Sequence, residues 1–162
     1  MFTTAVCLAV LSFKGAAQPH ASAYGLSVNT VLAVVAVESS GNPSAIRYEP
    51  HYYGAYMASL PHFRAAAARY GVRSVSSSLG LMQTMYATAY NEGYRGTPLG
   101  LLRAGNSLKY GSKHLGGLKR RYGEWNALRA YNAGVGGMLA GRGGSYASKV
   151  WQWKSRIEKG CR

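Results

Sequence analysis

The feature that most limits the fold is a run of seven apolar residues, 31–37, closed immediately by Glu38. Residues 26–39 read as a helix that Ser27 or Asn29 can cap and that Gly41-Asn42-Pro43 ends. Val31, Leu32, Val34, Val35 and Val37 leave it almost no polar face. A helix with no side to give to water has to sit at the centre, with other elements packed round it. The remaining chain supplies them. Residues 61–70 predict a short helix with Pro61 in its first turn, and 80–92 predict a helix starting at a glycine. Residues 104–121 predict another, with Leu108, Leu115 and Leu118 on one side. Residues 124–133 predict a helix that stops at Gly134, and 146–158 a last one carrying Val150, Trp151, Trp153 and Ile157. Residues 44–62 are rich in Tyr and His and show no clear period. Six glycines within 134–144 predict a mobile loop. No segment carries a strong strand signal, and there is no internal repeat. The expectation is a mainly α domain, a compact bundle around the 28–39 helix.

Charge is uneven. Nineteen Lys and Arg oppose five acids, for a net charge of +14, and thirteen of the nineteen basic residues follow residue 100. Such a field attracts polyanions: an anionic envelope surface, a cell wall or nucleic acid. Lys119, Arg120 and Arg121 cluster, yet the basic residues form no DNA-reading motif, so specific nucleic-acid binding is not expected. The segment 148–162 combines two tryptophans with five basic side chains, as membrane-surface helices do, and leaves a cationic envelope-binding protein as one reading. The four histidines are scattered, aspartate is absent and no HExxH occurs, so neither a metal nor another cofactor is expected.

The first 23 residues admit two readings. Residues 3–13 have the length of a signal-peptide core, and Ala21-Ser22-Ala23 resembles a cleavage site. However, no positive charge precedes the core, and Lys14 follows it. The segment 1–23 is thus a signal peptide or a first helix, followed by a domain over 24–162. Cys7 and Cys161 can pair only if Cys7 stays in the mature chain.

Any carboxylate chemistry must use Glu38, Glu49, Glu92, Glu124 or Glu158. Only Glu38 ends a long apolar run. Desolvation there disfavours the charged form, and the negative end of the helix dipole acts in the same direction, so its pKa should rise. A carboxylic acid still protonated near neutral pH is what cleavage of a glycosidic bond needs, since the leaving oxygen must receive a proton.

Four short motifs in order surround this acid. Glu38-Ser39 lies in AVVAVESSGNPSA, Gly80-Leu81-Met82-Gln83 comes next, then Ala130-Tyr131-Asn132-Ala133-Gly134, and last Tyr146 with Val150 four residues on. Asn106, Tyr110-Gly111, Leu115 and Arg121-Tyr122-Gly123 fill the space before the third. Over residues 24–155 the sequence resembles the soluble-type lytic transglycosylases, relatives of goose-type lysozyme. The resemblance implies a lysozyme-like fold, peptidoglycan glycan strands as substrate, Glu38 as catalytic acid, and no cofactor. It implies work outside the cytoplasm, in the periplasm or cell envelope, by an exported or phage-delivered enzyme. In this reading Gly80 lets a sugar approach the backbone, Met82 offers an apolar surface and Gln83 bonds an N-acetyl group. Tyr131, Asn132 and Tyr146 contact substrate, and Ser39 orients the acid or a substrate hydroxyl. The sequence departs from the family in the long segment between Glu38 and Gly80, which carries Glu49 within RYEPHYYGAY. A hydrolase needs a second carboxylate and a transglycosylase does not. If Glu49 faces Glu38, a muramidase is plausible; if it pairs with Arg47 or another arginine, it is structural.

Overall fold

The computed structural model describes residues 4–161. It is mainly α: among those residues nine α-helices and one short 3-10 helix surround a small sheet. The order is α1 (Thr4–Leu11), α2 (Lys14–Ala23), α3 (Val28–Ser39), β1 (Ile46–Tyr48), α4 (Tyr52–Tyr56), α5 (Pro61–Tyr70) and α6 (Val72–Val75). Then come β2 (Ser77–Leu79), β3 (Thr84–Met85), α7 (Tyr86–Asn91), the 3-10 helix Pro98–Leu102, α8 (Ala104–Leu139) and α9 (Gly144–Glu158).

Helix α3 is the expected central element. Ser27 caps it by accepting a bond from the Asn29 backbone N–H at 3.2 Å, and every residue from Thr30 to Ala36 is buried. It packs against α9, α2 and α1, while α8 packs against α2 and α9. Leu108, Leu115, Leu128, Val150, Trp153 and Ile157 close the core around it. The one polar side chain in the buried stretch, Thr30, donates to Glu124 Oε1 at 2.8 Å. Lys154 donates to the same oxygen at 2.9 Å, so one carboxylate ties α3, α8 and α9 together. Burial alone would raise the Glu124 pKa, but the bonds from Lys154 and Thr30 outweigh it and hold the group below its ordinary value. Glu124 is therefore a structural anion. Helix α9 spends its apolar face on this core: Trp153 is buried and Trp151 sits edge-on to Trp125. It is not a loose amphipathic helix of the membrane-surface kind.

Three expectations need correction. Strands do exist: β1, β2 and β3 form an antiparallel sheet in that order, pairing Ile46 with Leu79 and Leu79 with Thr84. They span three, three and two residues, too short for a period-2 pattern to show. The 80–92 helix is shorter than expected. Gly80 and Gln83 take positive φ (74° and 49°), which makes a turn into β3, and only Tyr86–Asn91 is helical. The glycine run 134–144 is not an irregular loop. Helix α8 breaks at Gly123 and Gly134 (φ 75° and 71°), resumes over 135–139, and ends in a bonded turn described below.

Residues 4–23 fold as two helices in the same core, with Cys7 and Val10 fully buried. Cys7 and Cys161 form a disulfide across a sequence separation of 154. Such a crosslink restricts the unfolded chain, by up to about 5 kcal/mol in a chain-entropy treatment. A Cys7→Ser/Cys161→Ser variant should therefore unfold at lower denaturant than the oxidised parent. The parent measured in reductant should match the variant, and equal midpoints for variant and oxidised parent would refute this account.

Candidate active site

The sheet, Gln83 of the 80–83 turn and α8 line an open groove of about 960 Å³. Glu38, at the last turn of α3, lies in its wall. Arg47, Glu49, His51, Tyr52 and Tyr56 come from the segment between the first two motifs. Ser78, Gln83, Met85 and Thr88 come from the sheet and α7. His114, Tyr131, Asn132, the 133–137 turn and Arg142 complete it.

Glu38 is half-buried, and Tyr146 Oη donates to its Oε1 at 2.7 Å. Burial raises the Glu38 pKa; the Tyr146 bond and the Arg47 charge oppose that without cancelling it. Burial and the Glu38 charge keep the hydroxyls of both Tyr131 and Tyr146 well above the ordinary phenol range, so each remains a donor. Tyr131 Oη gives its proton to Met82 O at 2.8 Å. The arrangement is an acid with a raised pKa in the wall of an open groove, positioned by a phenol.

The other expected residues divide. Gln83 and Asn132 line the groove, as does Tyr131. Gln83 Nε2 is committed to Ala45 O and Gly80 O, each at 3.0 Å, so it offers substrate only its acceptor oxygen. Tyr146 is not a groove residue; it acts on Glu38. Ser39 Oγ lies 2.8 Å from Leu81 O and 3.1 Å from Val35 O, so its one O–H is committed to backbone carbonyls and braces α3 against the turn. Gly80 is required for packing: a Cβ there would strike Leu101 O and Ser107. Met82 is fully buried, its N–H bonded to Ser107 Oγ, so it presents no surface to substrate. These three motif residues hold the turn that carries Gln83. Glu49 does line the groove, but Arg47 Nε donates to its Oε1 at 2.7 Å, as the structural alternative requires.

Several groove residues escaped the sequence reading, His114 and Arg142 among them. His114 sits on the Leu115 and Leu118 helix, its ring 5.7 Å from that of Tyr131 and its Nδ1 3.3 Å from Glu92. Nothing in its spacing marked it. Arg142 had a signal, since Gly141 and Gly143 on either side of it predict a sharp turn soon after the third motif.

The transglycosylase SLT domain model matches residues 15–154. The chain belongs to the transglycosylase SLT domain family. The match begins within α2 and ends within α9, so the SLT domain includes the groove and every residue that lines it. A search of curated proteins finds no match. Membership gives the domain a peptidoglycan substrate and activity of the lytic transglycosylase type in general terms.

Two outcomes are expected. The fold favours protonated Glu38, so the folded state binds more protons than the unfolded one between the ordinary carboxylate pKa and the raised one. Stability from this group is therefore lost as pH rises through that window. Glu38→Gln should be more stable than the parent near pH 8, with the difference vanishing below about pH 4, read by denaturant unfolding across pH. Met82→Ala should cost about 2–5 kcal/mol in the same assay, as for a core methionine. A loss under 1 kcal/mol, the ordinary result for a surface site, would refute its burial.

Proposed function

We propose that this SLT domain cleaves the β-1,4 bond between N-acetylmuramic acid and N-acetylglucosamine and leaves 1,6-anhydromuramic ends. The observation that carries this reading is that the groove holds one carboxylic acid with a raised pKa, Glu38, while its second carboxylate, Glu49, is ion-paired to Arg47. Glu38 donates its proton to the bridging oxygen as the C1–O4 bond breaks. The resulting carboxylate, steadied by Tyr146, takes the proton of the muramic C6 hydroxyl, whose oxygen bonds to C1. One bond breaks, one forms, the proton passes from O6 to O4 through a single side chain, and no water is consumed. Glu38 acts first as acid and then as base, which suits a group with a pKa nearer neutrality.

The setting proposed is the periplasm or cell envelope, reached by export or phage delivery. Two observations support it: the disulfide, a bond that persists in oxidising compartments, and the charge of +14, which would concentrate the enzyme on an anionic wall.

Mass spectrometry of digested peptidoglycan tests the chemistry. Anhydro ends are expected; reducing ends would indicate a muramidase that uses Glu49 to activate water. Glu38→Gln should lower the rate by about 10²–10⁴-fold, the scale of general acid catalysis. Glu49→Gln should stay within a few-fold of the parent. Lysis that persists without Glu38 would favour a membrane-active basic protein instead.

A further inference from the structure

The charges in the groove balance except at one point. Glu38 is neutral when it acts as acid, and Arg47 and Glu49 neutralise each other. His114 faces Glu92. Arg142 is exposed, lines the same groove, and has no ion-pair partner among the described residues.

Its position is built rather than incidental. Arg142 N–H donates to Gly137 O at 2.9 Å, and Gly141 N–H to Met138 O at 3.0 Å, closing the turn that follows α8. Arg129, one layer beneath, is committed to holding that turn. Its Nε donates to Arg142 O at 3.0 Å, its Nη2 to Met138 O at 3.0 Å, and its Nη1 to Asn126 Oδ1 at 2.9 Å. Gly143 has φ of 84°, and a Cβ there would run into the Arg129 backbone at 2.6–3.0 Å, so only glycine lets the turn lie so close. The Arg142 guanidinium lies across Gly137, where an added methyl would come within 3.2 Å of Nε. One arginine thus holds the backbone from which another reaches the groove.

In a stem-bearing strand the lactyl carboxyl of muramic acid is tied up as the amide that joins the peptide, so the free carboxylates lie on the stems themselves. From this geometry, and resting on the activity proposed above, we infer that Arg142 is a specificity-determining residue that binds a stem-peptide carboxylate and directs the enzyme to peptide-bearing strands. Guanidinium and carboxylate match as planar two-point partners, and the prearranged turn lowers the ordering cost of engaging one.

The test compares kcat/KM on wall strands with intact stems and on the same strands after their stem carboxylates are converted to amides with carbodiimide and ammonia. The parent should prefer strands whose stem carboxylates are free. In Arg142→Gln that preference should fall about tenfold, the scale of one lost charge-assisted bond, and the fall should appear in KM. Arg142→Lys should keep an intermediate preference, because it keeps the charge and loses the fork. Lys149→Gln, which removes an equal charge from α9 outside the groove, should leave the ratio as in the parent. An unchanged ratio in Arg142→Gln, or an equal fall in Lys149→Gln, overturns the inference and leaves the proposed function standing. If the parent cuts neither substrate, the proposed function fails. Co-sedimentation of Glu38→Gln with the two kinds of wall then reads the stem preference as binding alone, and equal binding to both overturns the inference there too.

Discussion

Glu38 stands half-buried at the end of a helix whose preceding turns have no wet side, and most of the site follows from that placement. Residues 30–36 can be wholly buried only if α3 is covered on all sides; α1, α2 and α9 pack directly on it, and Glu124 of α8 reaches it through Thr30. The same covering brings Tyr146 of α9 to 2.7 Å from the Glu38 carboxyl. Burial and the phenol bond act on the acid in opposite directions, and burial prevails. The acid is therefore reluctant to ionise, yet its anion has a partner ready. A group that must give up a proton and take one back within a cycle needs both properties.

Much of this was legible in the sequence. The seven apolar residues before Glu38 predicted the central helix, its burial and the direction of the pKa shift. The excess of arginines over acids made a salt bridge the expected fate of Glu49, without fixing its partner as Arg47. What escaped was decided by contacts distant in sequence. The strands at 46–48, 77–79 and 84–85 are too short to carry a period; they exist because chain segments meet. Ser39, Gly80 and Met82 were read as substrate residues because they stand in the motifs. A short motif records which residues must be where they are, and it does not separate those that touch sugar from those that shape the turn beneath.

The segment between Glu38 and Gly80 gains a role on this view. Through β1 it joins the sheet beside the 80–83 turn, and its Tyr52, Phe63 and neighbours pack with Tyr86 and Leu101 in a second apolar cluster. The segment is thus a lobe with its own packing. It adds to the groove an ion pair and an aromatic wall, while the acid stays on the helical side.

The link between Cys7 and Cys161 has a consequence for how the molecule comes apart. Fraying usually starts at chain ends, where the fewest contacts must be released. Here α1 and Cys161, three residues beyond α9, are clasped to each other, so neither α1 nor α9 can peel away alone. Opening must begin elsewhere, and the sheet lobe, held by packing and short strands with no covalent tie, is the natural place. A protease meeting the folded protein would nick that lobe first, and the two fragments would stay joined through the sulfur bridge.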